Sequence, residues 1–171
     1  TWSYPDLFLT GANVGAPPVP YAADGQNWGL PPMSPRALRA QGYRYWIQLV
    51  RRAYEHAGTL RIDHVMGLFR LFWIPMGATG AEGAYVRYRH WEMLDILGLE
   101  SHRAGAHIVG QDLGPVGDLV REELHRRGVL SYRLLWFEPL RPPDFPTQAL
   151  AAVTTHDLPT VAGMWTGADQ A

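Results

Sequence analysis

The chain has 171 residues, 15 basic against 16 acidic, a net charge of −1 and no cysteine. Every basic residue is arginine, which excludes a Schiff-base, pyridoxal-type or P-loop lysine, and the lack of cysteine excludes disulfides, thiolate zinc and thiol catalysis. Near-neutral charge without a basic block argues against nucleic acid, and no apolar run nears the roughly 18 residues of a membrane span, so neither is expected as a partner.

In chain order, Gly11–Pro35 comes first, crowded with proline and glycine and showing neither strand nor helix periodicity. It reads as a long loop, and the embedded Tyr21 and Trp28 favour an ordered, functional one. A helix is expected from Ser34, a good N-cap followed by Pro35, to Gly58, with Tyr43, Trp46, Ile47, Val50, Tyr54 and Ala57 on one buried face. TLRIDHV (Thr59–Val65) reads as a strand, and GATGAEG as a loop with no strand just before it. A second helix is expected over Tyr88–Arg103, weakened by Gly98. Ala106–Gly114 reads as a strand, then Pro115–Arg127 as a helix with Val116, Leu119, Val120 and Leu124 inward and REELHRR largely a solvated face. Ser131–Phe137 and Ala151–Asp157 are the third and fourth strands, and a short helix is expected after Pro159.

Short strands separated by helices imply parallel βα units, and polar residues crowd the C-terminal ends of these strands. That is the face on which (β/α)8 barrels build their active sites. The expected fold is therefore α/β, a partial TIM barrel. Four strands are about half of a barrel that takes roughly 250 residues, and the chain opens on Thr1. A single segment of a barrel domain, 1–171, incomplete at both ends and needing the rest of its own barrel, is the expectation.

The chemistry concentrates at three strand ends. Arg61, Asp63 and Val65 share one face of their strand, and an arginine two residues from an aspartate keeps that carboxylate ionised, as a glycosidic nucleophile must be. On the next strand His107, Val109 and Gln111 share a parity that makes Gln111 the last inward side chain and turns Asp112 away. On the fourth, Val153, Thr155 and Asp157 point inward and His156 alternates. Seven Trp and eight Tyr supply flat apolar platforms of the kind sugars stack on. The seven histidines show no metal-ligand spacing, and there is no G-x-S-x-G elbow, so neither a metal site nor an α/β-hydrolase is expected.

Taken together, GANVGAPP, GQNWGLPP, LRIDHVMGLFRLFWIP, GAYVRY, GQDLGPV, GVLSYRLLWFE and TTHDLPTVAG resemble the 4-α-glucanotransferases (amylomaltases or disproportionating enzymes, glycoside hydrolase family 77), most strongly the bacterial maltose-utilisation branch. The resemblance runs over essentially the whole chain. It implies barrel strands four to seven, retaining transfer of α-1,4-glucan segments between maltooligosaccharides and starch-derived glucans, no cofactor, and a cytoplasmic enzyme. By the same resemblance Asp63 is the nucleophile, and Asp157 binds sugar hydroxyls at the cleaving subsite and stabilises the transition state. Arg61, His64 and His156 hold the nucleophile or that sugar, and Gln26 and Trp28 belong to the loop over the acceptor side.

Two positions depart from the family pattern. G-E-D-L-G is expected at the second strand end, its glutamate being the general acid/base, and this chain has Gln111 there. An amide neither donates nor accepts the catalytic proton, a loss of roughly 10²–10⁴-fold. A form that traps the covalent intermediate, a non-catalytic α-glucan-binding pseudoenzyme and a one-base change of a glutamate codon all place Gln at 111. Val19 stands where the family usually has aspartate, which should weaken a loop contact with the glucan.

Overall fold

The computed structural model describes residues 4–20, 22–114, 116–155 and 158–168. Among them are eight strands: β1 (Ala12–Ala16), β2 (Gln26–Leu30), β3 (Thr59–Ile62), β4 (Arg70–Pro75), β5 (Ala84–Arg87), β6 (His107–Gly110), β7 (Leu130–Leu134) and β8 (Ala149–Ala152). The helices are α1 (Pro35–Ala40), α2 (Arg44–Tyr54), α3 (His90–Ala104), α4 (Asp118–Arg126) and α5 (Val161–Thr166).

Four strands form a parallel sheet in the order β3-β6-β7-β8, with β4 and β5 of a second sheet intervening in the chain between β3 and β6. Its outward side chains Leu60, Ile62 and Ile108 pack under α2, α3 and α4 in a core that includes Trp46, Val50, Met93, Leu94, Leu97, Val120 and Leu124. The inward side chains Val109, Tyr132 and Leu134 form a separate, smaller cluster with Leu130, Ala152 and Leu158. Apolar side chains on both faces, with helices on the outer one, are the arrangement of a (β/α)8 barrel, of which this sheet is an arc. The connection from β7 to β8 carries only a 3-10 turn at Pro142–Asp144.

The other sheet was not expected. β2-β1-β4-β5 is antiparallel throughout, and two of its strands lie inside the stretch read as a loop. The period there is hidden because β2 is exposed along its whole length and β1 carries a bulge at Val14/Gly15. Gly15 is obligatory at that bulge, since a Cβ would sit 2.0 Å from the Gln26 carbonyl oxygen. β4 runs up to Pro75, so a strand does precede GATGAEG directly, and that segment itself is a turn and a 3-10 helix capped by Thr79 and Glu82. At the tip of the β1–β2 connection, Val19 and Ala22 pair through their backbones. Tyr21 lies outside the described residues.

Other boundaries shift for local reasons. The single helix expected from Ser34 to Gly58 is two, because Gly42 (φ +57°) and Tyr43 (φ 57°) are both left-handed and the Tyr43 N–H closes back on the Leu38 carbonyl. The apolar periodicity concealed the break because α1 and α2 bury the same side, Leu38 continuing into Trp46 and Val50; Ala57 falls beyond α2 and is exposed. The α3 helix runs unbroken through Gly98. α4 begins at Asp118, and Leu119 is exposed while Val116, Val120 and Leu124 are buried. The face of α4 is mostly solvated, except that Arg127 beyond its end pairs with Glu123 and, at 2.8 Å, with Asp95 of α3. β3, β6, β7 and β8 each stop short of the expected strand ends, so the polar residues beyond them sit in the turns above the sheet.

Candidate active site

The C-terminal ends of β3 and β6 bring the expected groups together. Arg61 is on β3, and its Nη2 lies 2.8 Å from Oδ1 of Asp63, just past the strand. Asp63 is 65 % exposed: β3 is the edge of its sheet, and the carboxylate faces an open side. Val65 does not share this face. The chain turns at His64, which takes a left-handed conformation (φ 45°), and Val65 enters a 3-10 helix with its side chain fully buried. A non-glycine residue held in this conformation next to an ion-paired carboxylate is local strain maintained by its surroundings.

Those surroundings are the end of β6. The Gln111 N–H donates to the Ile62 carbonyl at 2.9 Å, and the Gln111 carbonyl accepts from Val65 at 3.2 Å. The Gln111 side chain reaches the same turn, Oε1 accepting the His64 N–H at 3.0 Å. Backbone and side chain of Gln111 therefore grip the turn that carries Asp63. Asp112 turns away as expected. It is buried, and its Oδ1 accepts the Tyr132 N–H at 2.9 Å; behind the sheet it lines a cleft of about 320 Å³ with Arg121 and Leu124.

The antiparallel sheet supplies the third wall. Trp28 on β2 meets the His64 ring edge-on with centroids 5.3 Å apart, and its Nε1–H donates to Gln26 Oε1 at 3.2 Å. His64 stays exposed as a residue, yet partial desolvation beside this neighbourhood pushes its pKa down, and the charge of Asp63 pushes it back up by a smaller amount. His64 is thus held toward the neutral form, able to accept or donate a hydrogen bond to a hydroxyl. His156 and Asp157 lie outside the described residues; the chain leads to them from β8, which ends at Ala152 on the same side of the sheet as Asp63 and Gln111.

Sequence reasoning missed Tyr132. Its ring lies under the Arg61 guanidinium at 5.0 Å, and it is buried between Val109 and Leu134. Its side of β7 was legible, since Tyr132 shares the inward parity with Leu130 and Leu134, but its contact with Arg61 was not. Among the described residues no cluster of three or more His, Asp or Glu gathers as for a metal ion, and no helix is long and apolar enough to cross a membrane.

Residues 1–171 match the model of the 4-alpha-glucanotransferase family over their whole length. The 4-alpha-glucanotransferase of Haemophilus influenzae is 46% identical across 96% of this chain and 24% of its own length. That of Mycobacterium tuberculosis is 46% identical across 97% and 24%. The crystal structure of amylomaltase from Corynebacterium glutamicum superimposes with a TM-score of 0.91 at 40% identity, covering 98% of this chain and 25% of that one. Amylomaltase from Streptococcus agalactiae in complex with acarbose shares the fold, with a TM-score of 0.81 at 21% identity over 96% of this chain and 36% of its own. The chain spans about a quarter of the length of the Haemophilus, Mycobacterium and Corynebacterium proteins. With a family match from end to end and a barrel arc that superimposes on an amylomaltase, the chain belongs to the 4-alpha-glucanotransferase family.

Proposed function

We propose that this chain is a segment of the catalytic barrel of a 4-α-glucanotransferase that moves α-1,4-glucan segments between maltooligosaccharides by retaining double displacement. The observation that carries the reading is the Arg61–Asp63 ion pair, set on a turn that Gln111 grips from the neighbouring strand. Asp63 attacks the anomeric carbon, and the bond to the leaving sugar oxygen breaks as the bond to the carboxylate forms. The 4-hydroxyl of an acceptor glucan then displaces the carboxylate, regenerating Asp63. Arg61 orients the nucleophile through their ion pair. His64 and, beyond the described residues, His156 bind the sugar at the cleaving subsite, where Asp157 stabilises the transition state. Gln26 and Trp28 face the acceptor side, and a covering wall there favours a sugar hydroxyl over water. Proton transfer and displacement account for every step, so no cofactor or metal is invoked. The edges β3 and β8 are where the remaining strands of the barrel pair, and the enzyme works in the cytoplasm.

Gln111 occupies the acid/base position. One oxygen of a glutamate there would accept the same His64 N–H that Gln111 Oε1 accepts, leaving the other oxygen free to carry the catalytic proton. In Gln111 that second site is an amide nitrogen. It can hydrogen-bond to the glycosidic oxygen but releases no proton to it, so this form is impaired or accumulates the glycosyl-enzyme. Gln111 is also the observation that favours a second reading, a non-catalytic α-glucan-binding pseudoenzyme.

The complete parent protein, with Gln111 and as Gln111→Glu, incubated with maltotriose, separates the two. Glucose plus a ladder of longer glucans from the Glu form, about 10²–10⁴-fold faster than from the Gln form, is the expected result. No ladder from either form would leave the binding protein as the better reading.

A further inference from the structure

Arg61 is held by little besides its carboxylate partner. Its Nη2 pairs with Asp63 at 2.8 Å, while its Nε is buried without a hydrogen-bond partner among the described residues. What fixes the plane of the guanidinium is the ring of Tyr132, 5.0 Å from its carbon and inside the range of an effective cation–π contact. The contact crosses a strand: Arg61 is on β3, Tyr132 on β7, and β6 runs between them. Tyr132 is itself braced, with 8% exposure, neighbours Val109 and Leu134 in the inner cluster, and its N–H donated to buried Asp112, the residue after Gln111.

From this geometry we infer that Tyr132 is a positioning residue for the nucleophile, its ring fixing the Arg61 guanidinium so that it presents Nη2 to Asp63. The inference rests on the assignment of Asp63 as nucleophile. The bracing runs from the second strand end to the first: Asp112 sets the backbone of Tyr132, the Tyr132 ring sets Arg61, and Arg61 sets Asp63. The aromatic face does the work and the hydroxyl does not, so phenylalanine should serve in its place.

The test uses the complete parent protein carrying Gln111, with α-maltosyl fluoride as donor. Asp63 attacks the anomeric carbon, the C–F bond breaks and fluoride leaves without needing a proton. With no base to activate an acceptor, the ester on Asp63 persists and is counted by intact mass. Tyr132→Met keeps an apolar side chain reaching into the same space but removes the aromatic face, and should lower the trapping rate constant about five- to tenfold with the half-saturating donor concentration unchanged. Tyr132→Phe should trap at the unaltered rate. Arg61→Gln should fall further, by about 10²-fold, and adding Tyr132→Met to it should cost nothing more. A merely structural tyrosine would instead give additive losses and a changed half-saturation. Should Tyr132→Met not fold, as judged by its melting curve, Tyr132→Leu replaces it in the same comparison.

An adduct forming equally fast on the unaltered and Tyr132→Met or Tyr132→Leu enzymes overturns the inference and leaves the nucleophile assignment standing. A slow Tyr132→Phe variant, or additive losses with Arg61→Gln, also overturns it. No adduct on the unaltered enzyme removes the nucleophile assignment, and this inference with it.

Discussion

The two sheets of this chain, each of four strands, place their residues at the site by opposite means. In the parallel sheet each strand lies beside the next of that sheet's own strands, and Asp63 and Gln111 follow the ends of two adjacent ones. Their position comes from where a strand stops. In the antiparallel sheet β1 pairs with β4 across some sixty intervening residues, and its contribution, Trp28, sits on an exposed outer strand. Position there depends on one bulge and one glycine. On the proposed function, chemistry is therefore set by where two strands stop, and substrate handling by how an exposed strand is held.

The sharpest test of that division is Asp63→Asn in the complete enzyme. An amide cannot form the glycosyl ester, so adduct formation from α-maltosyl fluoride should drop by on the order of 10⁴–10⁶-fold, the scale seen when a nucleophile is removed. The fold should be untouched, because Asp63 is 65 % exposed and paired only at the surface. Retained adduct would move the chemistry to another carboxylate and end the assignment of this strand end as the reacting one.

Gly15→Ala attacks the other sheet at its narrowest point. A Cβ there would lie 2.0 Å from the Gln26 carbonyl oxygen and 2.7 Å from Ile74, so β2 must move away from β1 and take Gln26 and Trp28 with it. Transfer to acceptor should fall by about 10²-fold, the effect of a shift of about 1 Å at a catalytic wall. Trapping of the fluoride donor should fall much less. Equal losses in both assays would mean that the antiparallel sheet supports Asp63 directly, and the contrast between the sheets would fail.

How far the sequence anticipated this follows the same line. The parallel strands announced themselves because each is a short apolar run bounded by helix signals, and the alternation past Arg61 and Val109 led to Asp63 and Gln111. The ends of those strands were drawn too long because the polar residues continue the alternation into turns, where Val65 buries itself outside the register. The antiparallel sheet was invisible because no strand of it has a clean period. β2 is exposed on both faces, β1 is bulged, and β4 reads as a continuous apolar run without a turn signal before it. Trp28 was noted as an aromatic in an ordered loop, and its place over the acceptor side came through resemblance. Tyr132 was passed over because its role lies in a contact across an intervening strand, which no local spacing encodes.

A smaller effect is expected from Asp112→Ala, which leaves the buried Tyr132 N–H without its acceptor. Stability should drop by about 1–3 kcal/mol in denaturant melts, while Asp112→Asn, which keeps an acceptor oxygen, should recover most of it. Full loss in the Asn variant would show that charge, not hydrogen bonding, is what β7 requires from Asp112. Trp28→Ala comes next. It removes an edge-on ring contact with His64 worth about 0.5–1.5 kcal/mol, so transfer to short acceptors should weaken about two- to tenfold while adduct formation stays constant. An adduct rate that fell in parallel would place Trp28 in the chemistry of the parallel sheet rather than beside it.

The smallest effect is in pH, and it concerns the histidine at which the two sheets meet. His64, though exposed as a residue, is held below its ordinary value of 6.5, chiefly by partial desolvation beside its neighbours with Asp63 opposing. His90, stacked on Phe69 in the helical layer, is also lowered, again chiefly by burial. A histidine whose pKa is lower folded than unfolded binds fewer protons when folded, so stability decreases as pH falls through 6.5 toward the folded value and is unaffected above it. The paired carboxylates Glu100 and Glu123 are also lowered, Glu100 mainly by Arg51 and Glu123 mainly by Arg127, and they act in the same direction, but only below their ordinary 4.5. Between pH 6.5 and 5 the slope therefore belongs to the histidines. His64→Gln and His90→Gln should each flatten the fall in melting temperature across that window, and only His64→Gln should also weaken the Trp28 wall. If His64→Gln left the slope intact while His90→Gln removed it, the junction between the sheets would be no drier than the open face beside it. The closeness of Trp28 to His64 would then have no consequence for protonation.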